Sequence, residues 1–338
     1  MKKRIIQISV VFLGLFALVF YVFKKEGVRQ LWNQLASVDY TYVAIALMCM
    51  MLSLVADGAC IQIVRLKFQP QARLLSSVRC GFISTMFGFI TPFQSGYIAG
   101  AITYLSSNQG MKPSEASVVT LVKLIYYTIA AIVTHILLII FNASKFEMQP
   151  LLWVFTAVGI GFSVIYMVFL MVVSKFEKPI AAIACYFIRL GARLHIIKHQ
   201  DKASWKAKVE IHKLKYKLSR IHLGWKSSVL LMICCIISFM AVYFVSWFIY
   251  LSFHPSPTLG LGYVLTGNAI CQIFQQISPI PGGIGIVDTA FTQIMSGIYG
   301  DNLNAAMLLW RLASLYSVIL VGFVMLTFTK RHQLRKSV

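Results

Sequence analysis

The sequence predicts an all-α polytopic membrane protein built as an inverted repeat, with about six full transmembrane helices and two re-entrant broken-helix hairpins. Three observations carry that reading. Of the 338 residues, 59% are hydrophobic and only 12% charged, about half the charged share of a soluble domain, and mean hydropathy is +0.78. Apolar runs of spanning length recur along the chain. Two of these runs are cut by Pro/Gly segments of one design, Thr91-Pro92-Phe93-Gln94-Ser95-Gly96 and Ser278-Pro279-Ile280-Pro281-Gly282-Gly283.

The about eight hydrophobic segments fall at 5–23, 41–64, 76–105, 116–141, 151–173, 227–251, 258–298 and 303–329. A helix needs about 20 apolar residues to span a bilayer. The first run follows Met1-Lys2-Lys3-Arg4. It is too long for a signal-peptide core and lacks a small-residue cleavage site, so it reads as an uncleaved span. Six runs suit single helices. The runs 76–105 and 258–298 hold the breaks at Pro92, Gly96, Pro279, Pro281, Gly282 and Gly283. Proline removes a donor and glycine frees the backbone, so both should interrupt a helix. Broken backbone survives at membrane depth only where protein buries it or where it lines a cavity.

The basic segments fix the topology. Residues 1–4, 65–79, 175–226 and 330–336 are rich in Lys and Arg and should share the cytoplasmic face. That holds only if 76–105 enters and returns on the cytoplasmic side and 258–298 enters and returns on the other. Both termini are then cytoplasmic. Lys24, Lys25 and Arg29 are left outside, against the rule. The chain reads as one membrane domain, 1–338, with a first half over 5–141 and an inverted second half over 151–329. The two motifs align with Thr91 on Ser278 and Gly96 on Gly283. Within the basic insertion 175–226, Ile180, Ile183, Phe187, Leu190 and Leu194 recur at helical spacing. They mark either an interfacial amphipathic helix or a solvated linker.

The net charge of +21 is segregated between spans rather than clustered for a nucleic-acid duplex, so no nucleic-acid partner is expected. The seven cysteines show no metal-ligand spacing and read as small hydrophobes. No cofactor and no metal are expected. Nucleophile-elbow, zinc-protease and phosphate-loop motifs are absent. The glycines of Gly282-Gly283-Ile284-Gly285 lack a following Lys-Ser/Thr.

Ionisable residues inside spans are costly and are candidates for function. Asp57 and Lys123 fall at similar depth from the same face. Arg311 is the near counterpart of Lys123 in the second half. Asp288 lies one turn beyond the second break. One reading makes Lys123 and Arg311, with the free N–H groups of Gly283, Ile284 and Gly285, a site for an anionic headgroup. The other has the cations neutralise Asp57 and Asp288 and lock helices. His135 sits deep in its span as a packing residue or a proton relay.

The run Pro279-Ile280-Pro281-Gly282-Gly283-Ile284-Gly285-Ile286-Val287-Asp288, with Arg311 in the next span, resembles the signature of a flippase-like membrane family. That family is related to the transmembrane region of lysylphosphatidylglycerol synthases. Thr91 to Gly96 and the region from Leu105 to Lys123 resemble its first-half motif. The resemblance implies a multi-pass protein of the bacterial cytoplasmic (inner) membrane that moves phospholipids or polyprenyl-linked lipids between leaflets. This sequence has Asp288 where the family usually has Glu, and Gly96-Tyr97 where many members carry a charge. The chain ends just after its last span, without the aminoacyl-transferase domain of the bifunctional synthases, so it is not expected to make lysyl-lipid itself. The leading expectation is a lipid transporter acting on anionic lipids. The alternatives are a membrane-embedded enzyme or accessory subunit acting on lipid or polyprenyl-phosphate, and a membrane anchor for a cytosolic enzyme. A homo-oligomer or a cytosolic enzyme partner fits these readings.

Overall fold

The computed structural model of the chain describes residues 28–142, 150–176 and 200–336, with isolated positions between 144 and 192. The apolar run 5–23 and the helical spacing from Ile180 to Leu194 lie outside the described residues. Among the described residues all regular structure is helical. The helices are α1 (Val28–Ala36), α2 (Tyr40–Arg65), α3 (Leu74–Phe89), α4 (Gly96–Gln109), α5 (Pro113–Asn142) and α6 (Pro150–Lys175). They continue as α7 (Gln200–Arg220), α8 (Trp225–Phe253), α9 (Leu261–Ile277), α10 (Ile286–Tyr299), α11 (Leu303–Arg311) and α12 (Ser317–Lys336). A π-helical turn, Leu312–Tyr316, joins α11 to α12.

Local sequence sets the ends. Asp39 caps α2 by accepting the Thr41 N–H at 2.9 Å. Gly110, left-handed at φ 66°, stops α4. Pro113 opens α5, with Glu115 in the first turn where the helix dipole favours an acid. Helix length then separates two classes. At 1.5 Å per residue, α2, α5, α6 and α8 run about 39–45 Å, beyond the roughly 30 Å of a hydrocarbon core. The limbs α3, α4, α9 and α10 run only about 21–26 Å. Each of these limbs is shorter than that thickness, and the two limbs of each pair pack against each other.

One end of the molecule is basic. Arg65 reaches Gln109 at 3.0 Å, and Lys217 of α7 pairs with Glu115 of α5 at 2.7 Å. Helix α12 runs along α3, with Gly322 against Phe82 and Met86, towards the end where α3 begins. The opposite end gathers α1, the end of α5, the α8–α9 loop and the start of α11. There Gln34 donates to the Asp301 carbonyl at 2.8 Å, and the Asp39 N–H donates to the Ser252 carbonyl at 3.0 Å. Arg29 belongs to α1 and so stays at this end.

The hairpins therefore enter from opposite ends: α3–α4 from the basic end and α9–α10 from the other. They meet tip to tip, where the Phe93 N–H donates to the Ser278 carbonyl at 3.0 Å. Helices α2 and α8 pack along each other through the middle. The flanking pairs are exchanged: α3 lies on α12, and α9 lies on α5. This is the inverted repeat.

The motif register needs correction. Thr91–Gly96 was expected to match Ser278–Gly283. In the structure Pro92, Phe93 and Gln94 match Pro281, Gly282 and Gly283, two residues further along. Each proline opens a 3-10 turn. Phe93 and Gln94 lie at φ 52° and 53°, Gly282 and Gly283 both at φ 67°. The second break is longer because its outgoing helix needs a separate start at Gly285, capped by Asp288. The first break re-enters helix directly, with Thr91 Oγ1 accepting the Gly96 N–H at 2.7 Å. A Cβ at Gly96 would lie 2.3 Å from the Phe87 carbonyl oxygen, so only glycine fits that closure.

Candidate functional site

The structure brings Asp57 of α2 and Lys123 of α5 into a buried ion pair, their side chains 6% and 1% exposed. Tyr97, in the first turn of α4, donates its hydroxyl to the second Asp57 oxygen at 2.8 Å. The Lys123 ammonium also lies 4.4 Å from the Tyr97 ring centre and 3.9 Å from that of Tyr127. Both rings present negative faces to the charge. Lys123 thus has one carboxylate and two aromatic faces, and Asp57 has one cation and one hydroxyl.

This cluster forms one pole of a cavity of about 330 Å³ between α2, α5, α6, α8 and the first break. Phe93 and Gln94, the two left-handed residues of that break, line it. From α9 come Gln272, Gln275 and Gln276. The remaining walls are mostly apolar, including Met50, Phe89 and Phe162. The volume is that of a ligand pocket, and its two-character lining suits an amphiphile.

Arg311 and Asp288 stand elsewhere. The Arg311 Nε donates to Asp288 at 2.6 Å. Its Nη1 donates to the Gly282 carbonyl at 2.9 Å, and its Nη2 to that of Gly283 at 3.4 Å. One fork of donors therefore ties α11 to the broken turn. Asp288 uses its other oxygen to accept the Gly285 N–H at 2.8 Å. The Gly283 N–H is taken by the Ile280 carbonyl at 2.9 Å. Two of the three N–H groups expected to face a polar cavity are therefore engaged within the turn itself. Arg311, Asp288, Gly283, Ile284 and Gly285 lie outside the cavity lining. The sequence-derived site residues thus occupy two places, an ion pair at the cavity and an ion pair behind the second break.

His135 is buried against Phe239 and Tyr243, and its Nε2 has no hydrogen-bond partner among the described residues. Among the described residues no group of His, Cys, Asp and Glu is arranged to hold a metal. Sequence reasoning missed Tyr97, Tyr127 and the glutamines. The glutamines carried a signal: Gln272, Gln275 and Gln276 stand at i, i+3 and i+4, one face of a helix inside an apolar run.

The two broken turns and the Arg311–Asp288 lock lie within residues 5–322, which match the family described as the lysylphosphatidylglycerol synthase TM region. The chain belongs to that family. It is a membrane protein related to lipid handling. No curated protein matches the chain. The family match takes in the first half, the second half as far as residue 322 and every residue of the cavity.

Proposed function

We propose that the protein carries lipids with anionic headgroups between the leaflets of a bacterial inner membrane, without chemical change. The basic end faces the cytoplasm. The observation that supports this reading most is the cavity's single charged pole. A buried Lys123, neutralised by one carboxylate and cushioned by two rings, stands beside apolar walls. A headgroup phosphate competes with Asp57 for Lys123, while its acyl chains stay on the apolar side. The exchange is feasible because a phosphate oxygen restores the charge-assisted contact that the ammonium gives up. The short hairpin limbs support the same reading, because they leave only two turns of backbone at the centre for the headgroup to pass.

The test is reconstitution into liposomes with fluorescent phosphatidylglycerol or phosphatidylcholine, measuring transfer between leaflets. Transfer that prefers phosphatidylglycerol and is lost in a folded Lys123→Ala variant is the expected result. Normal transfer by Lys123→Ala overturns the assignment. Formation of a modified lipid would point to an enzyme instead. Inactivity relieved by a cytosolic protein would point to an anchor.

A further inference from the structure

A second pocket, of about 550 Å³, opens at the basic end and shares no lining residue with the central cavity. Arg65, Arg73, Gln69, Ser76 and Gln109 line it. Arg65 is 3% exposed. Its Nε donates to Gln69 at 2.9 Å, and its Nη1 to Ser76 at 2.6 Å and Ser77 at 3.1 Å. Its Nη2 donates to Gln109 at 3.0 Å. All four acceptors are neutral. The chain has no Asp or Glu between Asp57 and Glu115, and Arg65 forms no ion pair among the described residues. The other two buried cations among the described residues, Lys123 and Arg311, each have a carboxylate.

A buried charge without a counter-ion is strongly disfavoured. The neutral cage holds the guanidinium in one orientation but does not neutralise it, and one Nη2 N–H is left over after the Gln109 contact. The start of α3 adds positive potential at this spot. Arg73 stands at the N-cap of the 16-residue α3 with no side-chain cap, so the positive end of the helix dipole faces the same pocket. Lys67 and Arg79 lie in the same acid-free stretch. Next to these charges the surface is apolar: Leu66, Leu74 and Leu75, the chain neighbours of Arg65 and Arg73, are 38%, 51% and 58% exposed.

We infer that this pocket binds the phosphate of an anionic phospholipid from the leaflet at the basic end, with its acyl chains along Leu66, Leu74 and Leu75. It is a site distinct from the central cavity. Its ligand supplies the counter-charge that Arg65 lacks among the described residues. Inorganic phosphate shares the anion chemistry but not the apolar contacts.

Gln71, exposed on the pocket wall, gives a local readout. In detergent, thiol labelling of a Gln71→Cys variant should slow about tenfold on adding phosphatidylglycerol. Phosphatidylcholine should protect far less, and rising salt should weaken the protection. Arg73→Gln, at an exposed position, should bind about tenfold more weakly, the loss expected for one charge-assisted contact. Arg65→Gln should abolish protection if it folds. Lys123→Ala should leave protection intact, which separates this site from the central one. Equal protection in Arg73→Gln, or none in the Gln71→Cys parent, overturns the site. Protection by inorganic phosphate as strong as by phosphatidylglycerol, or by phosphatidylcholine as strong, overturns the anionic-lipid assignment.

Discussion

Replacing Gly283 with valine tests whether the second break is a buried structural joint. Gly283 is buried at φ 67°. A Cβ there would lie 2.5 Å from Val287 Cγ2, and Val287 is 0% exposed, so it has no open space to move into. A side chain in the left-handed region costs about 1–2 kcal/mol, and overpacking a filled core adds about 1–3 kcal/mol. The expected loss is therefore about 2–5 kcal/mol. Gly110 is a sharp control. It has nearly the same backbone angle, φ 66°, but a Cβ there meets nothing within 4 Å. Gly110→Val should lose only the backbone share, about 1–2 kcal/mol. Free, buried Cys60, Cys80, Cys235 and Cys271 allow thermal unfolding to be followed with a thiol-reactive dye. At about 2 °C per kcal/mol, Gly283→Val should lower Tm by roughly 4–10 °C, and Gly110→Val by roughly 2–4 °C. Equal shifts would show that the Val287 contact contributes nothing and that the turn relaxes freely.

Three further outcomes are expected. Asp57→Ala strands a buried Lys123 and should cost about 3–5 kcal/mol, whereas Asp57→Ala with Lys123→Ala should lose less; a double variant as unstable as the two single losses summed would deny the pairing. Arg311→Lys keeps the charge but not the fork that reaches Asp288 and the Gly282 and Gly283 carbonyls, so Tm and lipid transfer should both fall; full transfer would detach the second break from function. Cysteines placed at Gly110 and at Lys206 should label from the same side of sealed vesicles, as the Lys217–Glu115 contact requires; labelling from opposite sides would break the hairpin arrangement.

Much of the architecture is legible in the sequence. Run lengths, Pro/Gly punctuation and the placement of Lys and Arg are properties of the chain itself, and they suffice for the hairpins and for the basic end. The match between the breaks is not legible to the residue. Pro92 looks like Pro279 by its neighbours, yet its backbone behaves like Pro281, because left-handed angles at Phe93 and Gln94 are invisible in residues that rarely adopt them. The Asp57–Lys123 pair follows from depth alone. Tyr97 does not: its hydroxyl contact with Asp57 depends on where the first break aims α4. Arg311 shows the same limit, since a guanidinium reaching a backbone carbonyl leaves no residue-type signature. Arg65 reads in the sequence as a marker of the cytoplasmic side, and only its burial reveals the charge without a counter-ion.

The two tips share a backbone course but differ in what they carry. Phe93 and Gln94 put side chains on one, and Gly282 and Gly283 put only hydrogens on the other. In the carrier proposed above, tips so unlike would give the inward-open and outward-open states unequal populations. That imbalance would decide which leaflet supplies the waiting lipid and which half of the cycle is slow. It does not decide where lipids accumulate, because unequal gates alter forward and reverse passage by the same factor. In the proposed carrier, net enrichment of one leaflet would require a source of free energy apart from the tips.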